Sequence, residues 1–290
     1  MLVFISSFNQ SPVYSGNIVK SDSEFSPENI SSFIGYLVKN GDYYRAHTEL
    51  ARLESYYPEY LTPLSYVVTE SYILYKSGHY SDINSISPAW AGNGYLCALN
   101  LFRIDGYLRA GNIANNTYLD KLIDYDCQDA GYSDYYSRRR NYYTILRYFY
   151  NQHSEDMTID NKYKDSMDFA SLLSAEKKSP ALGAIYGIVP GMGYVYAGDT
   201  GTGIVAMIVI AAGSAIAWGA HVNNVEPLAA VSGAATFFMY TGSIAGGYMA
   251  TAKYNRGLYE KLVIRLDKDF MLDRDLDDIY IKCGIEADVR

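Results

Sequence analysis

Between Ser179 and Ala252 the chain carries a formal charge at only two of 74 positions, Asp199 and Glu226, and none of its 24 Lys and Arg residues falls there. A bilayer core admits only backbone that satisfies its own hydrogen bonds, so uncharged apolar stretches of about 20 residues predict spanning helices. The two carboxylates divide the segment into three stretches, Ser179 to Gly198, Thr200 to Val225 and Pro227 to Ala252. The sequence therefore predicts an all-α protein whose second half holds an α-helical transmembrane bundle of two to three helices. It locates the protein more clearly than it assigns it a task.

The mean hydropathy of -0.11 averages two unlike parts. Residues 27–176 are enough for a helical domain with its own core. Residues 177–252 form the membrane module, and 253–290 read as an amphipathic helix with an acidic tail. Residues 1–26 are a polar linker headed by MLVFISSF, which is too short to span and reads as a truncated secretory signal or an ordinary N-terminus.

A net charge of -8 and a pI near 5.0 argue against nucleic acid, which rewards clustered Lys and Arg. Cys97, Cys127 and Cys283 show no CxxC spacing, so neither a disulfide framework nor a zinc site is implied, and a single Cys97–Cys127 bridge is left open. Thirty-one tyrosines against 10 Phe and 2 Trp predict a helical core and groove lined by rings whose hydroxyls reach water.

From Pro27 onward Ile30, Phe33, Ile34 and Leu37 recur at helical spacing, and Gly41-Asp42-Tyr43 makes a turn. The set Gly41, Tyr43, Ala46, Leu50, Leu53 and Pro58 resembles the second half of a tetratricopeptide repeat, where a small residue lets two helices approach and proline ends the second. A related register returns at Leu74, Gly78 and Tyr80, with Ser87-Pro88 cutting its second helix short, and again over Leu101 to Gly111. Tyr132 to Tyr150 and Asp160 to Ser174 read as a last helical pair. Such pairs stack into a solenoid with a concave face, here a groove for a protein partner. The Arg138-Arg139-Arg140 run reads as a solvated helix face.

Pro190-Gly191-Met192-Gly193 interrupts the first apolar stretch, because proline removes a donor and glycine permits a tight turn, so a bent helix with a short interfacial piece is expected. The pattern P-G-x-G-x-x-Y-x-G, formed by Pro190, Gly191, Gly193, Tyr196 and Gly198 with Gly203 beyond it, resembles the hairpin of a widespread bacterial family of small membrane modules. Those modules are often fused behind a secretory signal and a tetratricopeptide-like domain. Tyr240, Gly242, Gly246, Gly247, Ala250, Lys253, Tyr254 and Asn255 resemble the way they end. Family members usually carry Gln at the place of Tyr194 and often a basic residue at that of Asp199. The resemblance implies a membrane-embedded module without known catalytic residues. Gly183 with Gly187, Gly187 with Gly191, and Gly242 with Gly246 are GxxxG pairs that permit close helix contact within the chain or between protomers. The expected partners are thus the lipid bilayer, an unidentified protein and a second copy in a homo-oligomer.

Leu258, Leu262, Leu266 and Phe270 repeat every four residues, with Lys253, Arg256, Lys261 and Arg265 interleaved. This amphipathic helix either lies on the membrane or docks on the soluble domain. Asp267 to Asp278 is acidic, and a loosely ordered end is expected. Three crossings would put the tail in the cytoplasm and the soluble domain in the periplasm of a bacterial inner membrane, the C-terminal flank being the more basic. Lys177-Lys178 oppose that orientation, and a re-entrant first stretch would leave two crossings and both flanks on one side.

His47, His79, His153 and His221 have no HxxxH partner, and neither a GxSxG elbow nor a phosphate loop is present. No catalytic, cofactor or metal residue is assigned, and no enzyme is predicted. Asp199 and Glu226 sit at segment boundaries facing headgroups, with His221 near an interfacial Trp218. Two functions stay open: a membrane-anchored interaction scaffold, or a subunit of an insertion, export or transport machine.

Overall fold

In the computed structural model the described residues are 25–86, 95–111, 117–125, 127, 130–151 and 159–285. The MLVFISSF run, nearly all of the linker, Ser87-Pro88, His153 and residues 286–290 lie outside them. The helices are α1 (Pro27–Lys39), α2 (Tyr43–Tyr56), α3 (Pro63–Lys76), α4 (Leu96–Arg109), α5 (Thr117–Ile123), α6 (Ser133–Asn151), α7 (Lys164–Ala175), α8 (Pro180–Tyr186), α9 (Met192–Ala197), α10 (Thr200–Val222), α11 (Glu226–Phe270) and α12 (Leu272–Cys283). No strand occurs among the described residues.

Local chemistry explains most boundaries. Ser26, Thr62 and Ser179 each precede a proline, and their hydroxyls accept the N–H groups of Asn29, Ser65 and Leu182, capping α1, α3 and α8. Gly41, Gly78 and Gly111 come just after α1, α3 and α4 with φ of 76°, 80° and 72°, a left-handed turn that glycine adopts without a Cβ penalty. The recurring turn seen in the sequence is therefore a recurring helix end. The element after each turn differs in length: the 14 residues of α2, then a single 3-10 turn at Asp82–Ser85, then the seven residues of α5. Ala46, Leu50 and Leu53 are buried between α1, α2 and α3, and Pro58 opens a 3-10 turn just beyond the end of α2.

Helices α1 to α4 pack each on the next, α5 on α4, and α6 on α4 and α7. A Cys97–Cys127 disulfide ties the start of α4 to the segment after α5. It closes a loop of 30 residues, for which chain-entropy loss predicts about 3–4 kcal/mol. Urea unfolding with and without reductant is expected to differ by that amount, and coincident curves would show that the bridge constrains nothing.

The C-terminal stripe packs against α6 and α7. Leu258, Leu262, Leu266 and Phe270 are at most 2% exposed in the same core as α6 and α7, with Phe270 stacked on Tyr163 at 4.0 Å. No helix ends at Ala252, because α11 runs unbroken for 45 residues from the apolar segment into that core. Helix α12 then turns back at Met271 (φ 50°) and lies against α3, α4 and α6, with Leu272, Leu276 and Ile279 buried and Tyr280 stacked on Tyr72 at 4.3 Å. A loosely ordered acidic end was expected; instead most of its carboxylates have partners. Asp267 takes Arg109 and the Tyr142 hydroxyl, Asp269 takes Ser166 and Arg265, Asp273 takes Arg109 and Tyr75, and Asp277 takes Lys76 and Tyr72.

Two predicted features of this region are corrected. Arg139 is fully buried, donating twice to Asp105 (2.9 and 2.6 Å) and once to Asp275 (3.0 Å), while Arg138 makes a bidentate pair with Asp275, so only Arg140 is exposed as a solvated face requires. Several tyrosine hydroxyls reach tail carboxylates rather than water, because desolvated carboxylates and phenols satisfy one another where solvent is excluded.

Two helices, α10 and α11, are long and apolar enough to cross a membrane. The first apolar stretch is not a third such helix. It breaks at Pro190 into α8 and α9, of seven and six residues, each about 10 Å long against a hydrocarbon core of about 30 Å. The expected opposite placement of soluble domain and tail is overturned too, since both pack into one core.

Candidate functional site at the glycine-packed hairpin and its junction

Helices α10 and α11 form an antiparallel hairpin, and α8 and α9 fold against its base. The bend depends on glycine. Gly191 has φ of 80°, and a Cβ there would strike the Gly203 carbonyl of α10. At Gly193 a Cβ would meet the Gly183 carbonyl at 2.5 Å, the Cα of Gly247 at 2.7 Å and that of Gly187 at 3.1 Å. Gly183 sits as tightly on Gly247 and Thr251, and Gly187 on the backbone of Ile244. Four of the six motif residues, Gly191, Gly193, Gly198 and Gly203, thus serve close approach or reversal, Gly198 by its φ of 97°. Pro190 lines a cleft between α10 and α11. Tyr196 accepts the Ser179 N–H at its hydroxyl and the Lys178 ammonium at its carbonyl.

Gly242 is the exception among the predicted packing residues: a Cβ there meets nothing within 4 Å. Its GxxxG partner Gly246 instead makes room for the Tyr194 ring. The aromatic at that place therefore has its own socket on α11.

Sequence reasoning missed the groups that satisfy the bend. Breaking the helix at Pro190 frees backbone donors and acceptors that an apolar environment cannot solvate. Ser243, buried on α11, accepts the Gly191 N–H at 3.0 Å, and the Tyr240 hydroxyl donates to the Ile188 carbonyl at 3.0 Å. Their signal was present, as two polar residues in step on an apolar helix.

At the junction between α7 and α8, Asn255 clamps the backbone of Lys178, accepting its N–H at 3.0 Å and donating to its carbonyl at 2.7 Å. The Lys178 ammonium lies 4.3 Å from the Tyr254 ring centre, and Lys177 donates to the Phe149 carbonyl over the Phe149 ring. Burial lowers the Lys177 pKa. Both lysines are thus committed to the protein itself. Asp199 caps α10 by accepting the Thr202 N–H. At the far end His221 lies 3.5 Å from Glu226, with Trp218 beside it.

Two cavities flank this hairpin. One, of about 700 Å³, opens between α10 and α11 and is lined by Pro190, Ser214, Trp218, His221, Thr236 and Tyr240. The other, of about 410 Å³, lies at the junction beside Asp199, Lys253, Tyr254, Gly257 and Lys261. Among the described residues no group of three His, Cys, Asp or Glu side chains could hold a metal ion. No family model, curated protein or solved structure matches this chain.

Proposed function

We propose that this protein is a membrane-anchored interaction scaffold of the bacterial inner membrane, with a degenerate tetratricopeptide-like domain carried on the P-G-x-G-x-x-Y-x-G module. The observation that supports it best is α11, one 45-residue helix whose first part is apolar and lipid-compatible and whose last part is core. Such a helix, about 68 Å long, fixes the domain at a set height and angle to the bilayer. The apolar part is exposed in the monomer, at Val231, Phe237, Phe238 and Met249, as lipid contact requires and a soluble core does not.

In this reading the partner does not use the face of α3 and α4, which α12 already covers. It docks at the free end of the array, where Phe33 and Tyr36 stack at 6.4 Å, Arg45 lies over Phe33 and Tyr44 is 85% exposed. Tyr36→Asp with Tyr44→Asp is expected to abolish co-purification of a partner cross-linked in membranes without lowering the melting temperature. Retention of the partner would remove this face from the proposal.

We place the domain in the periplasm, since a Cys97–Cys127 bridge persists in an oxidising compartment. Lysine near the junction argues for the inside, but long domains translocate largely regardless of charge. In a Cys283→Ser background, Lys121→Cys is expected to react with an impermeant thiol reagent in intact spheroplasts, and Asn223→Cys only after permeabilisation. The reverse pattern would overturn the orientation. The second reading, a subunit of an export or transport machine, is favoured by the open cleft between α10 and α11.

A further inference from the structure

The junction cavity holds two lysines that form no ion pair among the described residues. Lys253 and Lys261 are exposed, and among the described residues neither lies in an ion pair with a carboxylate, whereas Lys177 and Lys178 are committed to backbone carbonyls and aromatic rings, and Arg256 pairs with Glu260 at 3.0 Å. Lys253 and Lys261 stand two turns apart on one face of α11, about 12 Å along the axis. Between them is Gly257, where a Cβ would meet nothing within 4 Å. A gap floored by backbone therefore separates two ammonium groups. Across it stands Asp199, so the cavity presents two positive charges and one negative.

Its height is set by the chain. Asp199 is the N-cap of α10, and Lys253 is the first charged residue after the apolar part of α11. Both line the same cavity, which lies where the two helices leave their apolar segments. Tyr254 also lines it and Tyr196 lies under the same Lys178, as aromatic rings do at headgroup depth.

We propose that this cavity is a binding site for a zwitterionic phospholipid headgroup of the phosphatidylethanolamine type. The phosphate diester sits over Gly257 between Lys253 and Lys261, and the ammonium faces Asp199. An anionic headgroup without an ammonium would satisfy the lysines and bring Asp199 no counter-charge beyond its cap hydrogen bond to the Thr202 N–H and the nearby Lys253. The proposal rests on the membrane reading above, but its test uses detergent solution, so its failure leaves the thiol-labelling result untouched.

The experiment titrates the full chain, in an uncharged maltoside, with dihexanoyl phosphatidylethanolamine, dihexanoyl phosphatidylglycerol or inorganic phosphate, and tracks the melting temperature. Saturable stabilisation by the ethanolamine lipid is expected, weaker by the glycerol lipid and absent with phosphate. Lys261→Ala is expected to weaken it about tenfold, the worth of one charge-assisted hydrogen bond, while exposed Lys268→Ala on the same helix changes nothing. Gly257→Leu fills the gap without removing charge and improves helix propensity, so it should abolish the lipid effect while the lipid-free melting temperature holds or rises. Asp199→Asn keeps a capping side chain and should erase the preference for ethanolamine over glycerol. Binding unchanged in both Lys261→Ala and Gly257→Leu would overturn the site. Equal stabilisation by inorganic phosphate would overturn the assignment to a lipid.

Discussion

Arg139→Met is expected to destabilise the helical core by about 3–5 kcal/mol, because it leaves Asp105 buried without a hydrogen-bonded counter-charge. Asp275 keeps Arg138, so the damage centres on Asp105, which is 1% exposed. The double variant Arg139→Met, Asp105→Leu removes the orphaned charge and should recover most of the loss, a coupling that independent sites would not show. Urea unfolding measures both, and a single variant within about 0.5 kcal/mol of the parent would mean that the pair does not hold α6 to α4 and α12.

The same residue sets a pH dependence. Burial raises the Asp105 carboxyl to about 6 even though the Arg139 guanidinium draws it down. Without Arg139 it must rise further. A carboxyl with a higher pKa folded than unfolded takes up a proton on folding between the two values, so its contribution to stability falls as pH rises through that window. The deficit of Arg139→Met should therefore be largest near pH 8 and shrink towards pH 5. Asp273 has the opposite sign: burial would raise it, but the Tyr75 hydroxyl and Arg109 hold it below the usual carboxylate range. Its contribution is present above the unfolded pKa and is lost as pH falls through the folded one, so it cannot explain a deficit that shrinks on acidification.

The second large effect is expected at the hairpin. Gly193→Ala should cost about 3 kcal/mol, the upper end for overpacking, since the atoms it meets are a carbonyl and two Cα atoms that cannot turn aside. Gly191→Leu adds a left-handed φ to a backbone collision and should lower the yield of folded protein. Gly242→Ala is the control, in open space on the same helix as Gly247, and should gain up to about 1 kcal/mol from helix propensity. Met192→Leu, nearly volume-conserving, should change little. Thermal unfolding in detergent separates these outcomes. If Gly193→Ala melts with Gly242→Ala, the segments do not pack through glycine.

Features that depend on near neighbours were legible in the sequence. The uncharged stretch marked the apolar helices by composition, the glycines after α1, α3 and α4 marked helix ends, and Pro190-Gly191 marked the bend, each because a local backbone constraint has a local residue signature. The every-fourth-residue stripe from Leu258 to Phe270 was equally plain, yet periodicity states that a face is apolar and not what covers it. The tertiary structure decided that. It placed the stripe in the core built on α6 and α7, joined it to the hairpin through one helix, and distributed the acidic tail among Arg109, Arg138, Arg139 and three tyrosines more than 100 residues away in the chain. Gly242 and Gly247 look alike in sequence for the same reason. Whether a glycine faces a neighbouring backbone or open space is a property of the second helix, which the residues around it do not encode.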